Sequence, residues 1–335
     1  MAMSRLVSLL GVSAVLSLVA CSAGSVSEEA VQGDPQALTE CDGNGTWAIK
    51  VSTPVKWNAS FVLQAGTGTV TNWLRTARVQ NGLEVTDTAE ICGVQTPDYQ
   101  AAALFGSEKY GIRFPDATFG TLPKFELKGT LSSKEIGATF TAPPSAALVG
   151  ATLASPISDP WPAAASLTAV DVDGDGKPGL SADAATEVGM SNPPVNPTRT
   201  VRADRVYATF RQVLDASTGT VSSCSRVDGT AKISVIAGKA AIDSHVLGCR
   251  HAGDGAECTP AEHRLLDTAA PVYVPTGDAV ITMIKLPAGR TAPTCADVRA
   301  LDYAAAARPP APPCEGEPVN GSDETCTPSV TPPTR

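Results

Sequence analysis

Antiparallel β-sheet is the fold class this sequence predicts, and three observations predict it. Apolar residues recur at every second position in several separate runs, the period of a strand with one buried face. Aromatic residues are 5% and charged residues 18% of the chain, while Gly and Pro number 29 and 27, a balance suited to many short strands joined by turns. Helix signals are few and short.

Taken in order, the first run is Trp47 to Val51. Tyr110, Ile112 and Phe114 alternate with Lys109, Gly111 and Arg113. Phe125, Leu127 and Leu131 alternate with Lys124, Glu126, Lys128 and Thr130, and Ile136, Ala138 and Phe140 follow a short polar link. The last two runs read as a hairpin. Val206–Leu214, Ala231–Ala237 and Ala279–Leu286 are similar, and such alternation suits antiparallel sheet. Thr259-Pro260-Ala261-Glu262 starts one short helix. Thr294-Cys295-Ala296-Asp297 is a capping box, followed by Val298, Leu301 and an alanine run that ends before Pro309.

Proline divides the chain. Residues 41–142 form a first β half, 143–199 a Pro-rich junction, 200–307 a second β half with its C-terminal helix, and 308–335 a tail holding eight prolines. Gly68-Thr69-Val70 precedes Cys92 and Gly219-Thr220-Val221 precedes Cys249, each across strand-like sequence, so the two halves are either a duplicated β unit or alike by chance. The two halves would make either one closed barrel, similar to calycins and lipocalins, or two stacked β units. A closed barrel leaves no edge strand and can hold a ligand.

The N-terminus speaks to compartment. Arg5 precedes an apolar stretch, Leu6 to Val19, which ends in Leu18-Val19-Ala20-Cys21. A charged start, a short apolar core and a small-residue cleavage site make a secretory signal. The final four residues resemble the lipobox of bacterial lipoproteins. That resemblance implies cleavage of residues 1–20, acylation of Cys21 and membrane anchoring by several acyl chains. Ser22, rather than Asp, points by the family's sorting rule to the outer membrane. Residues 21–40 are polar and small and read as a tether. Loss of Arg5 with the leader takes the net charge from −9 to −10, which opposes phosphate backbones and so nucleic-acid binding.

Eight further cysteines remain: Cys41, Cys92, Cys224, Cys249, Cys258, Cys295, Cys314 and Cys326. An even set in an exported chain reads as disulfides. Chain order suggests Cys41–Cys92, Cys224–Cys249, Cys258–Cys295 and Cys314–Cys326, although sequence alone cannot derive a pairing.

The strongest internal motif is Asp171-Val172-Asp173-Gly174-Asp175-Gly176-Lys177. Three carboxylates at alternate positions, followed by glycine, can converge on one cation, and Ca2+ tolerates such an irregular oxygen cage. The stretch resembles the calcium loops of EF-hand, dockerin and thrombospondin-type repeats. By that pattern Asp171, Asp173 and Asp175 give side-chain ligands and Lys177 its backbone carbonyl. The twelfth position is Ala182, where the pattern has an acid, so Asp183 would complete the set only in an irregular loop. The bland alternative is a solvated acidic turn. The role expected for the ion is structural.

Other chemistry is weaker. His245, Cys249, His251, Cys258 and His263 cluster, but without tight metal-ligand spacing they read as residues beside disulfides. G-x-S-x-G, H-E-x-x-H and S-x-x-K are missing from the mature chain. Trp47, Trp57, Trp73 and Trp161 read as interior packing in preference to sugar-stacking platforms. The sequence therefore favours a calcium-stabilised ligand-binding or structural envelope module. Its partners would be the membrane, through the anchor, and a small-molecule or glycan ligand. The alternative is a surface-tethered hydrolase, for example a carbohydrate-active one.

Overall fold

The structure, a computed structural model, describes residues 40–60, 63–100, 109–186, 203–251, 254–289 and 292–304. The first three long strands are β1 (Gly45–Trp57), β2 (Gly66–Asn81) and β3 (Glu84–Gln95). The short β4 (Tyr99–Gln100), β5 (Lys109–Arg113) and helix α1 (Asp116–Phe119) precede β6 (Phe125–Leu131) and β7 (Thr139–Ala142). Next come β8 (Ser145–Val149), β9 (Ala151–Thr152), β10 (Thr168–Ala169), β11 (Leu180–Thr186) and β12 (Ala203–Leu214). β13 (Ser217–Ser223), β14 (Arg226–Ala231), β15 (Val235–Ile236), β16 (Lys239–Ala240) and β17 (Ile242–His251) lead to α2 (Pro260–Ala269). β18 (Val274–Pro275), β19 (Ala279–Lys285) and α3 (Cys295–Ala300) complete the described chain.

Eight of these strands close into a barrel in the order β1-β2-β3-β6-β7-β13-β14-β19, with β19 returning to β1. Ring order follows chain order and every pairing is antiparallel, so the barrel is of the up-and-down kind. Both β halves contribute strands, so one barrel forms in place of two stacked units. The insertions build a second arm of sheet, β5-β11-β12-β17, with β8 also paired to β12. The Pro-rich stretch read as a junction thus supplies β8 and β11.

Alternation explains the core. On β1, Trp47, Ile49, Val51, Thr53 and Val55 are buried. The lumen is completed by Leu74, Val85, Ile91, Phe140, Val227, Ile281 and Met283. The opposite face of β1, β3 and β19 carries Ala48, Cys92 and Ile284, which pack under Val298 of α3 and Tyr303. The β2–β3 hairpin turns on Gly82, whose φ of 63° a side chain would resist, in a two-residue connection between Asn81 and Glu84. At Gly129 a side chain would strike the Phe140 ring, 2.4 Å from where its Cβ would sit.

Three expectations need correction. β7 begins at Thr139, and Ile136 is 56% exposed, because Gly137 takes a φ of 91° and ends the alternation. As a result β6 and β7 share only two register pairs, Thr130↔Thr141 and Leu131↔Phe140. The run read over 231–237 breaks after Ala231, and Val235 is exposed in a small separate ribbon with β16. The capping box at Thr294 forms as read, yet α3 stops at Ala300, with Leu301 its C-cap, and residues 305–307 of the alanine run lie outside the described residues. The Thr259–Glu262 box also forms and opens α2, with Pro260 in its first turn.

The disulfides are Cys41–Cys224, Cys92–Cys295 and Cys249–Cys258, which replace the sequential pairings; Cys314 and Cys326 lie outside the described residues. Barrel closure is the reason for the first two, since it brings early and late parts of the chain side by side, whereas Cys249–Cys258 joins residues nine apart outside the ring. Cys92 is the extra residue of a β-bulge, where the partners of Trp73 and Leu74 step from Gly93 to Ile91. The bulge frees its carbonyl, which accepts from Arg299 of α3.

Candidate functional site

The barrel lumen holds a cavity of about 400 Å³. Ile49 and Val51 of β1, Leu74 of β2, Phe140 of β7 and Ile281 and Met283 of β19 form its walls. Glu126, Lys128, Pro143, Pro144 and Ile157 stand at an exposed rim. The rim lies along β6 where β7 no longer pairs with it, so the short β6–β7 seam is what opens the lumen sideways. An eight-stranded barrel is wide enough either to be filled by side chains or to hold one small ligand, and this volume falls in the range of small-molecule sites.

Two polar groups interrupt the apolar walls. Asp87 of β3 receives Arg78 Nη2 at 2.7 Å, Arg78 Nε at 2.9 Å and the Thr76 hydroxyl at 3.0 Å. The Arg78 guanidinium lies 4.3 Å from the centre of the Trp47 ring, a cation–π stack, and also approaches Phe140. Both side chains of the ion pair are almost wholly buried, at 3% and 4% exposure. Farther along, Asn72 Nδ2 donates to Gln212 Oε1, and Gln212 Nε2 donates to the Thr53 hydroxyl at 2.7 Å. Asn72 and Gln212 border both the lumen and a second cavity of about 90 Å³, in which Tyr99 and Tyr273 touch through their hydroxyls. Sequence reasoning did not single out Asp87, Arg78, Thr76, Asn72, Gln212 or Thr53 as site residues. The available signal was on β2, where Val70, Asn72, Leu74, Thr76 and Arg78 share the inward face at period two.

A strap, residues 155–162, closes over the β12–β17 sheet, and its Pro156 and Ile157 form part of the rim. Arg211, only 1% exposed, holds it: Nη1 donates to the Pro156 and Asp159 carbonyls while Nη2 pairs with Asp243 at 2.6 Å. His245 holds it too. Its Nε2 meets the Pro162 carbonyl and its Nδ1 meets Asp267, both at 2.9 Å, and Trp161 stacks on the ring. A carbonyl and a carboxylate only accept, so the two contacts can be hydrogen bonds together only when the ring is protonated. The Asp267 hydrogen bond raises the His245 pKa above 6.5 against the opposing effect of burial. This stabilisation is complete below the ordinary histidine value and is lost as pH rises through the raised folded value. Chemical denaturation from pH 5 to 9 should therefore show native stability falling toward the alkaline side relative to His245→Gln. Parallel profiles for the two proteins would refute the assignment.

The acidic loop sits between β10 and β11. Asp171, Asp173 and Asp175 each bring one oxygen within 4.8 Å of the others. That spread matches opposed ligands of a calcium ion with bonds of roughly 2.3–2.6 Å. Gly174 and Gly176, both at positive φ, turn the loop so that their amides reach Asp171, and the Gly176 contact leads in lowering the Asp171 pKa. Loss of hydration raises that of Asp173. Ser181, absent from the sequence reading, closes the loop by donating its amide to Asp173 and its hydroxyl to Asp175. Asp173 Oδ1 is buried without a partner among the described residues. The donor set thus suits a hard cation. Lys177 donates its amide to Asp175 and pairs its ammonium with Glu257 at 2.8 Å. Asp183 stands on β11 facing Arg205 at 3.5 Å, outside the three-carboxylate group.

The histidine cluster divides: Cys249 and Cys258 are bonded to each other, His251 meets Glu262, and His263 meets the Leu247 carbonyl. Among the described residues no Ser or Thr hydroxyl bonds a histidine. Trp47 and Trp57 are buried, at 3% and 4% exposure, and Trp73 and Trp161 half-buried. Cys21 lies outside the described residues. No helix among the described residues is long and apolar enough to cross a membrane. No family model, no curated protein and no solved structure matches this chain.

Proposed function

We propose that this protein is a lipid-anchored component of the bacterial cell envelope whose barrel binds an apolar small molecule and whose acidic loop is held by calcium. The observation that carries the binding reading is the lumen, a laterally open cavity of about 400 Å³ walled by aliphatic and aromatic side chains. A native interior normally closes such space, because unfilled volume forfeits contacts at a cost that grows with the void. A glycan fits less well, since the walls are apolar and two of the four tryptophans are buried. Anchoring rests on Leu18-Val19-Ala20-Cys21, and outer-membrane placement on Ser22.

The test is saturable binding of the uncharged fluorophore N-phenyl-1-naphthylamine. One site per chain is expected, and Ile281→Trp, which fills the lumen, should abolish it while leaving the far-ultraviolet circular dichroism unchanged. Equal binding by both proteins would place the probe elsewhere and remove the reading. For the loop, the carboxylates repel one another and one buried oxygen lacks a donor, so a cation bound there adds stability by mass action. Millimolar Ca2+ should raise the melting temperature of the native protein by several degrees and leave that of Asp173→Ala/Asp175→Ala unmoved. A melting temperature indifferent to calcium in both proteins would leave a plain acidic turn.

A further inference from the structure

We infer that the ligand of the barrel is electrically neutral and carries one hydroxyl-type donor that bonds Asn72 Oδ1. The inference rests on the proposal that the lumen is a binding site, and it names the chemistry of the occupant. Charge balance comes first. Among the described residues Asp87 is the only charged group in the deep wall of the cavity, and Arg78 and Thr76 occupy its oxygens. A cationic ligand finds no free carboxylate there. The one cation among the lining residues is Lys128, an exposed rim residue already 3.0 Å from Glu126. An anionic head drawn inward would surrender its hydration with nothing to replace it.

The polar contact comes second. Asn72 is 8% exposed and borders the cavity. Its Nδ2 is committed to Gln212, which is committed in turn to Thr53. With Nδ2 so committed, Oδ1 is the acceptor that Asn72 has left to offer. That acceptor gains from a donor delivered within the apolar cavity. A ligand hydroxyl supplies one, while the remainder of the ligand meets Leu74, Ile281 and Met283.

The experiment displaces N-phenyl-1-naphthylamine from the full mature protein with three ligands of one chain length: 1-decanol, decyl methyl ether and decanoate at pH 8. Decanol should compete about tenfold more tightly than the ether, which accepts but cannot donate. Decanoate should be the weakest of the three. In Asn72→Leu the decanol preference should shrink to about twofold or less. Thr53→Val/Asn72→Leu/Gln212→Leu, which replaces the whole relay with apolar groups of similar shape, gives the same readout if the single variant misfolds. Equal affinities for decanol and ether in the native protein, or decanoate binding as tightly as decanol, would overturn the inference and leave the barrel a binding site. Failure of the fluorophore to bind at all would instead remove the underlying reading.

Discussion

Asp87→Ala should destabilise the barrel by about 3–5 kcal/mol, read as a lower denaturant midpoint with little change in slope. Arg78 and Asp87 lie on neighbouring strands, β2 and β3, in register with one another. Removing the carboxylate leaves a guanidinium at 3% exposure, enclosed by the Trp47 and Phe140 rings and the Met283 sulfur, with no anion beside it. The cation–π contact remains, but it offsets only about 1–2 kcal/mol of that desolvation. The pair is not thereby a source of net stability. Replacing both partners with apolar residues, Arg78→Met/Asp87→Leu, should recover most of the loss, because neither charge then has to leave water. If Asp87→Ala cost less than about 1 kcal/mol, water or another anion would be reaching Arg78 and the site would be more open than described.

Removing the Cys92–Cys295 bridge should cost about 4 kcal/mol. It joins residues 203 apart, so it restricts a very long loop of the unfolded chain. Its native role is also local. Helix α3 has only six residues, too few to persist unaided. Its other holds are the buried Val298, the Arg299–Asp116 pair at 2.6 Å and the Arg299 contact to the Cys92 carbonyl. In Cys92→Ala/Cys295→Ala the amides of 294–304 should exchange with solvent far faster than those of β1 and β19. A denaturant shift worth under about 1 kcal/mol, with exchange at α3 unchanged, would show that packing alone fixes the helix.

How much of this could be read beforehand follows from what each feature depends on. Local chemistry was legible. Both capping boxes form because Thr259 and Thr294 need only a partner three residues on. The three aspartates converge because glycines at 174 and 176 allow the turn. Long-range pairing was not legible. Nothing near Cys41 says that Cys224 is its neighbour; barrel closure decides that. The longest hairpin, β2–β3, escaped a clear alternation because its inward face carries Asn72, Thr76, Arg78 and Asp87 among apolar residues. Those same polar residues are the ones that give the lumen its character. A pattern built on hydrophobicity alone passes over them.

The ring is sealed by its first and last members: Trp47 lies opposite Lys285, and Val51 opposite Ile281. Nearly the whole polypeptide must therefore be available before the final seam can zip. Such distant partnerships slow folding, because the loop between them must be ordered before any contact rewards it. A chain emerging N-terminus first cannot shut this ring until β19 has appeared, so β1 waits with one exposed edge while the rest arrives. Strand β1 is thus the segment most in need of protection during synthesis.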